Sequence, residues 1–244
     1  MVPRFVRPAR PARPRLNTPG PLDTFDMHPT LTDLAPLPDE DILARVVGGD
    51  IAAFELLMRR HNTRLYRVAR AVVHDDLEAE DIVQDAYVRA YAHLRGFRGR
   101  ASVATWLTRI ALHEALRRRR RRMRAAAVLR SLGPRGEADG AREDAEMAVD
   151  QETRTSLVRA LDALPVNTRA VVVLRLVQGL STRETAACLR LSEANVKVLL
   201  HRGTRELRGA MGDGPVDALR EQYAFGAERC DRVVGAVLRR IARG

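Results

Sequence analysis

The chain has 244 residues and carries 42 Lys+Arg against 31 Asp+Glu, a formal net charge of +11. That balance favours a polyanionic partner, nucleic acid or an acidic membrane surface, although Lys197 is the only lysine and part of the arginine excess reflects coding composition. No apolar run approaches the roughly 20 residues that span a bilayer, no apolar signal segment opens the chain, and Cys188 and Cys230 lie outside any CxxC or Cys/His cluster. Membrane insertion, secretion, a disulfide framework and a metal or cofactor site are therefore not expected, and a reducing cytoplasm is.

Residues 1–38 are rich in Pro and Arg without apolar periodicity, which predicts a disordered extension. Met27 is an alternative start just ahead of the first structured segment. From Asp39 the spacing turns helical. Phe54, Leu57, Met58, Leu65, Val68, Ala69 and Val72 recur at steps of three and four, behind Asp50 as an N-cap. A second helix is predicted from about Leu77 to Leu94, with Ile82, Tyr87, Val88 and Tyr91 apolar and acids gathered in its first turns. The loop RGFRGRAS follows. Ser102 or Thr105 then opens a helix that carries Trp106, Ile110 and Leu112 and ends in the arginine run Arg117 to Arg122.

Residues 125–152 read as a linker, glycine-bearing at first and then acidic. Helical spacing resumes at Thr155, Pro165 separates two helices, and Gly179 is a left-handed cap. The stretch from Thr182 predicts a short helix, a tight turn at Leu191 and a longer helix capped by Ser192, with Val196, Leu199 or Leu200, and Leu207 inward. The last segment places Cys230, Val233, Val234, Val237, Leu238 and Ile241 on one face. No strand pattern is visible, so the expected fold is all-α: two small helical domains, 39–124 and 153–211, joined by a flexible linker and followed by a helical extension, 212–244.

Three groups of residues invite a functional reading. The short-helix, turn, long-helix pattern fits a helix–turn–helix, whose second helix presents Glu193, Asn195, Lys197, Val198, His201, Arg202 and Arg205 outward. A plain αα-hairpin has the same periodicity. The RGFRGRAS loop puts Phe97 among arginines and just ahead of Trp106, an arrangement that holds an unstacked base and its phosphate; alternatively both aromatics are core. Glu78, Glu80, Asp81 and Asp85 resemble catalytic carboxylates only superficially, because acids are favoured in a first turn and no histidine joins them. Catalysis is not expected.

With these residues in view, the stretch from DIAAFELLMRRH through FRGRASVATWLTRIALHEALRRRRR resembles the sigma-two domain of extracytoplasmic-function sigma factors. LVRALDALPVNTRAVVVLRLVQGLSTRETAACLRLSEANVKVLLHRGTREL resembles their sigma-four domain. The resemblance implies a promoter-recognition subunit of bacterial RNA polymerase, acting in transcription initiation and not itself an enzyme. The AEDIVQDAY helix, with Glu80, Asp81, Gln84 and Asp85, would dock on the polymerase clamp helices. Phe97, Arg98, Arg100, Ser102, Trp106, Arg109, His113 and Arg117 would melt the minus-ten element and capture a flipped base. The second domain, with Arg183, Ser192 and the outward residues of its long helix, would read the minus-thirty-five duplex and bind the polymerase flap. An anti-sigma factor is a further partner that the resemblance allows.

Three departures stand out. His113 replaces a usual Asn, Val198 and Leu199 replace a common Ser-Arg pair, and the tail after Met211 exceeds a minimal member. The apolar face of that tail must be buried, either on the sigma-four domain or as a regulatory cover over a DNA- or polymerase-binding surface. Two rival readings are a regulator that does not bind polymerase and a helical adaptor. The regulator leaves AEDIVQDAY and FRGRAS without a role, the adaptor explains neither DNA-binding feature, and co-purification with core polymerase separates all three.

Overall fold

The computed structural model describes residues 36–131, 156, 158–211 and 225–243; among them every regular element is helical. The expected disorder of the N-terminal extension and most of the expected linker lie outside the described residues. The first body contains α1 (Asp39–Val47), α2 (Ile51–Val73), α3 (Asp76–Ala92) and α4 (Val103–Ser131), with a short 3-10 turn at Leu94–Gly96. Asp50 caps α2, its Oδ1 accepting from the Ala53 amide at 3.1 Å, and Asp75 caps α3 by accepting from the Glu78 amide at 2.7 Å. Every residue of the predicted α2 stripe is buried. Phe54 meets the Tyr87 ring edge-on with centroids 6.0 Å apart, and the wholly enclosed Tyr87 hydroxyl donates to the Met58 carbonyl at 3.2 Å.

Of the two hydroxyls that could open α4, Ser102 is the cap: its Oγ accepts from the Thr105 amide at 3.2 Å. The helix does not stop where the linker was expected at 125. It continues to Ser131, because Met123, Arg124 and Ala125 to Ala127 are strong helix formers and no glycine intervenes before Gly133.

The second body begins with a helical run at 158–163 and then Pro165. Next come α5 (Val166–Val172), which runs on through a π turn at Val173–Val177, α6 (Thr182–Leu189) and α7 (Glu193–Met211). Gly179, at φ +69°, ends the α5 segment in the left-handed region. Ser181 and Glu184 form a capping box on α6. Arg190, at φ 57°, turns the chain, and the Ser192 hydroxyl accepts from the Asn195 amide at 3.2 Å to start α7. Val196 and Leu207 point inward.

The two bodies share one continuous core, in which Leu161, Leu164, Val172 and Leu174 join the side chains of α2 and α4. Arg169 bridges them from an almost fully enclosed position. It donates to the carbonyls of Ala71 at 2.6 Å and Asp162 at 2.8 Å, and pairs with the Asp162 carboxylate at 3.3 Å.

Inside α7, Gly203 marks a close helix crossing. A Cβ there would lie 2.6 Å from Val172 Cγ2 and 2.9 Å from Thr168 Cγ2. Gly203→Ala is therefore expected to destabilise by about 1–3 kcal/mol through overpacking, against the usual gain from removing a mid-helix glycine. Gly209→Ala, on the same helix with open space around it, is the control. Equal denaturation midpoints for the two variants would refute the close-packing account.

The C-terminal α8 (Ala227–Ala242) corrects one expectation. It lies against α3 and α2, not on the second body. The apolar stripe needs a cover, and charge favours this one. The arginines of α8 meet the acids of α3, whereas the exposed face of α7 carries Lys197, Arg202, Arg205 and Arg208 and would repel them.

Candidate nucleic-acid interface and acidic docking face

On α7, Glu193, Asn195, Lys197, Val198, His201, Arg202 and Arg205 are all exposed, as are Arg183 on α6 and Ser192 just before the helix. They leave a polar, mainly basic outer face on a helix whose inner face is locked by Val196 and Leu207. This is the geometry a helix needs to lie in a major groove, with amides and cations toward base edges and phosphates.

The loop before α4 builds a second surface. The rings of Phe97 and Trp106 approach with centroids 5.3 Å apart at 57°. Together with Arg98, Arg100 and Arg109 they line a recess of about 480 Å³. Both aromatics are half-buried, so each packs on the core with one edge and walls the recess with the other. The alternatives of core residue and base-holding residue are therefore compatible.

Further along α4 the predicted contacts are not all free. Thr105 donates to Glu184 at 3.0 Å and His113 Nε2 meets the Cys188 carbonyl at 3.1 Å, so α6 covers this stretch. Burial pushes the His113 imidazole below its ordinary range, which favours the neutral form in that contact. Arg117 is exposed and pairs at 2.9 Å with Glu114, a buried carboxylate that also holds Arg89 at 2.6 Å. Glu114 is not among the residues expected from the sequence; its signal is an acid in the middle of an apolar helix face.

The third surface is the acidic face of α3. Arg118 of the arginine run reaches Asp81 at 3.4 Å and Asp85 at 3.2 Å, and Arg122 reaches Glu78 at 3.1 Å. These arginines orient α3 as well as offering positive charge. Asp81 stays exposed and Gln84 and Asp85 are half-exposed, but Glu80 is only 5% accessible and receives Arg229 at 3.4 Å and Arg232 at 3.0 Å from α8. Burial would raise the Asp76 carboxyl, yet hydrogen bonds from Arg70 and Arg229 hold it below its ordinary range. Among the described residues no helix is long and apolar enough to cross a membrane.

Residues 57–125 match the family model Sigma-70 region 2, and residues 154–207 match Sigma-70, region 4. The pair, on a helical scaffold with an exposed recognition helix, defines a sigma-70-type transcription initiation factor. The chain is 33% identical over 189 residues to the ECF RNA polymerase sigma factor SigX of Bacillus subtilis, covering 73% of this chain and 91% of the relative. It is 35% identical over 175 residues to SigM of Mycobacterium tuberculosis, covering 71% and 85%. The chain belongs to the extracytoplasmic-function (ECF) RNA polymerase sigma factors. Among solved structures, it is similar to CnrH in complex with the cytosolic domain of CnrY, at TM-score 0.51 and 26% identity over 72% of this chain and 99% of that one. Its fold is also that of the sigma factor RpoE bound to the anti-sigma factor NepR from Bartonella quintana, at TM-score 0.52 and 21% identity over 66% and 95%.

Proposed function

We propose that the chain works through three separate surfaces. The α3 face around Asp81, Gln84 and Asp85 docks on the clamp helices of core polymerase. The Phe97–Trp106 recess, with Arg98, Arg100, Ser102, Arg109, His113 and Arg117 around it, opens the minus-ten element and holds an unstacked base. The outer face of α7, with Arg183, reads the minus-thirty-five duplex, and its body meets the polymerase flap. The chain supplies specificity in the cytoplasm and the polymerase supplies the chemistry. An anti-sigma factor is a further partner in this reading; the sigma factor RpoE was solved bound to the anti-sigma factor NepR, and CnrH bound to the cytosolic domain of CnrY.

The observation that carries this reading is the recess itself: two aromatic walls and three guanidinium groups at a helix start, beside a helix–turn–helix. A flipped base needs a π surface, and its displaced phosphate needs a cation. The contacts of Thr105 and His113 with α6 imply that the two bodies separate before the α4 face meets DNA.

The docking assignment is tested by Asp81→Ala with Gln84→Ala. The double variant is expected to keep its melting temperature and to lose at least about tenfold in affinity for core polymerase, which corresponds to about 1.4 kcal/mol of lost contact. Undiminished binding by the folded variant would sink the clamp assignment.

A further inference from the structure

We infer that α8 is a built-in occupant of the polymerase-docking face, so that core polymerase and the chain's own C-terminal helix compete for α3. The inference rests on the docking role of α3 proposed above. The helix lies beyond both family-matched segments, the second of which ends at residue 207.

Its fit to α3 is made at two levels. Val233, Val234 and Val237 are buried in the core, so an apolar stripe holds the helix down. Around that stripe, guanidinium groups meet the acids of α3 in register. Arg229 reaches Asp76 at 3.0 Å, Arg232 reaches Glu80 at 3.0 Å, and Arg240 reaches Asp85 at 2.9 Å. The contacts extend onto α2. Asp231 pairs with Arg59 at 2.8 Å, Asn62 donates to the Cys230 thiol at 3.0 Å, and Arg229 lies over the Tyr66 ring, 5.5 Å from its centroid.

Of the α3 residues that the family resemblance places at the docking face, Glu80 and Asp85 are thus already engaged by arginines of α8. A partner that recognises the same acids finds them neutralised, and Glu80 out of reach. The pairs on the rim are partly exposed and individually weak, and the buried stripe is short. Such a seat favours the closed form without making it permanent. Because the occupant is part of the same chain, its competition does not weaken on dilution, unlike inhibition by a separate protein.

The test uses the full-length protein and purified core polymerase. Arg232→Glu with Arg240→Glu puts carboxylates against Glu80 and Asp85 and opens the seat. Apparent affinity for core polymerase is expected to rise about tenfold or more, since it is reduced by whatever fraction of the protein is closed. Asn62→Cys provides the opposite state, because a disulfide to Cys230 ties α8 to α2 without touching α3. The oxidised protein is expected to lose core binding and to regain it on reduction. Oxidised and reduced forms that bind alike, or an arginine variant that binds no better than the parent, would overturn the inference. Failure of the docking reading looks different: Asp81→Ala with Gln84→Ala, placed in the Arg232→Glu, Arg240→Glu background, would leave binding unchanged.

Discussion

Arg169→Leu is expected to lower the stability of the chain by roughly 3–5 kcal/mol, the cost of breaking a buried pair by removing one partner. The lower end applies, because the Asp162 side chain keeps 25% of its surface in water. The guanidinium is 2% exposed and satisfies the carbonyls of Ala71, Leu161 and Asp162 together with the Asp162 carboxylate. Leucine fills part of the volume but leaves those acceptors without their donor in a site closed to bulk water.

The loss also has a pH signature. Burial would raise the Asp162 carboxyl, but the hydrogen bond from His74 and the charges of Arg70 and Arg169 outweigh it and hold the group below the ordinary carboxylate range. A carboxyl depressed in the folded state adds stability that is present above its unfolded pKa and lost as pH falls through its folded one. Removing Arg169 lifts the folded value toward the unfolded one, so the variant has less of this stability to lose and the gap between parent and variant is expected to narrow as pH falls. Urea midpoints measured from neutral pH downward check both parts. Parallel curves displaced by a constant amount would refute the coupling between Arg169 and Asp162.

Arg169 also illustrates what a sequence conceals. In TRAVVVLRLV it sits in an apolar run, and periodicity alone makes it a solvated interruption. That the end of α2 and the turn after residues 158–163 converge on it depends on two helices meeting across the bodies, which no local spacing encodes. The stripe of α2 is legible residue by residue, because a three-and-four rhythm over a long window has one interpretation. Asp50 and Ser192 are legible as caps because each stands immediately before an apolar-periodic run. The Ser181–Glu184 box is harder to see, since Thr182 is itself a plausible residue for opening a helix.

The α8 stripe shows the limit most directly. Cys230 to Ile241 announces a face that has to be buried, but the spacing of apolar residues on one helix does not name its counterpart. The counterpart follows from charge, the acids of α3 against the arginines of α8, once both helices are in place. At the site, the loop arginines and aromatics are legible from glycine spacing and from the family resemblance. The cover that α6 lays over Thr105 and His113 is not. Gly203 does carry a signal, since a glycine in a helix interior is costly unless another chain segment approaches there.

Phe97→Ala is expected to reduce open-complex formation on a fully duplex promoter by about 10- to 100-fold, the equivalent of the 1–3 kcal/mol that stacking one base on an aromatic provides. The ring is half-buried and meets Trp106 at 5.3 Å, so its removal opens one wall of the recess while Val103 and Leu107 still anchor the start of α4 in the core. Trp106→Ala is the less informative change, because a large aromatic packed on the core costs up to about 3–5 kcal/mol on truncation and confounds function with folding. On duplex DNA the captured base must offset the free energy of unpairing and unstacking, so the equilibrium sits near balance and responds in full to the lost contact. On a template already mismatched across the minus-ten element that cost is absent. Occupancy is then near saturation, and the same loss leaves most complexes intact. Phe97→Tyr keeps the π face and is expected to restore opening on duplex DNA. Equal defects of a stable Phe97→Ala protein on both templates would argue that the ring only supports the loop and takes no part in melting.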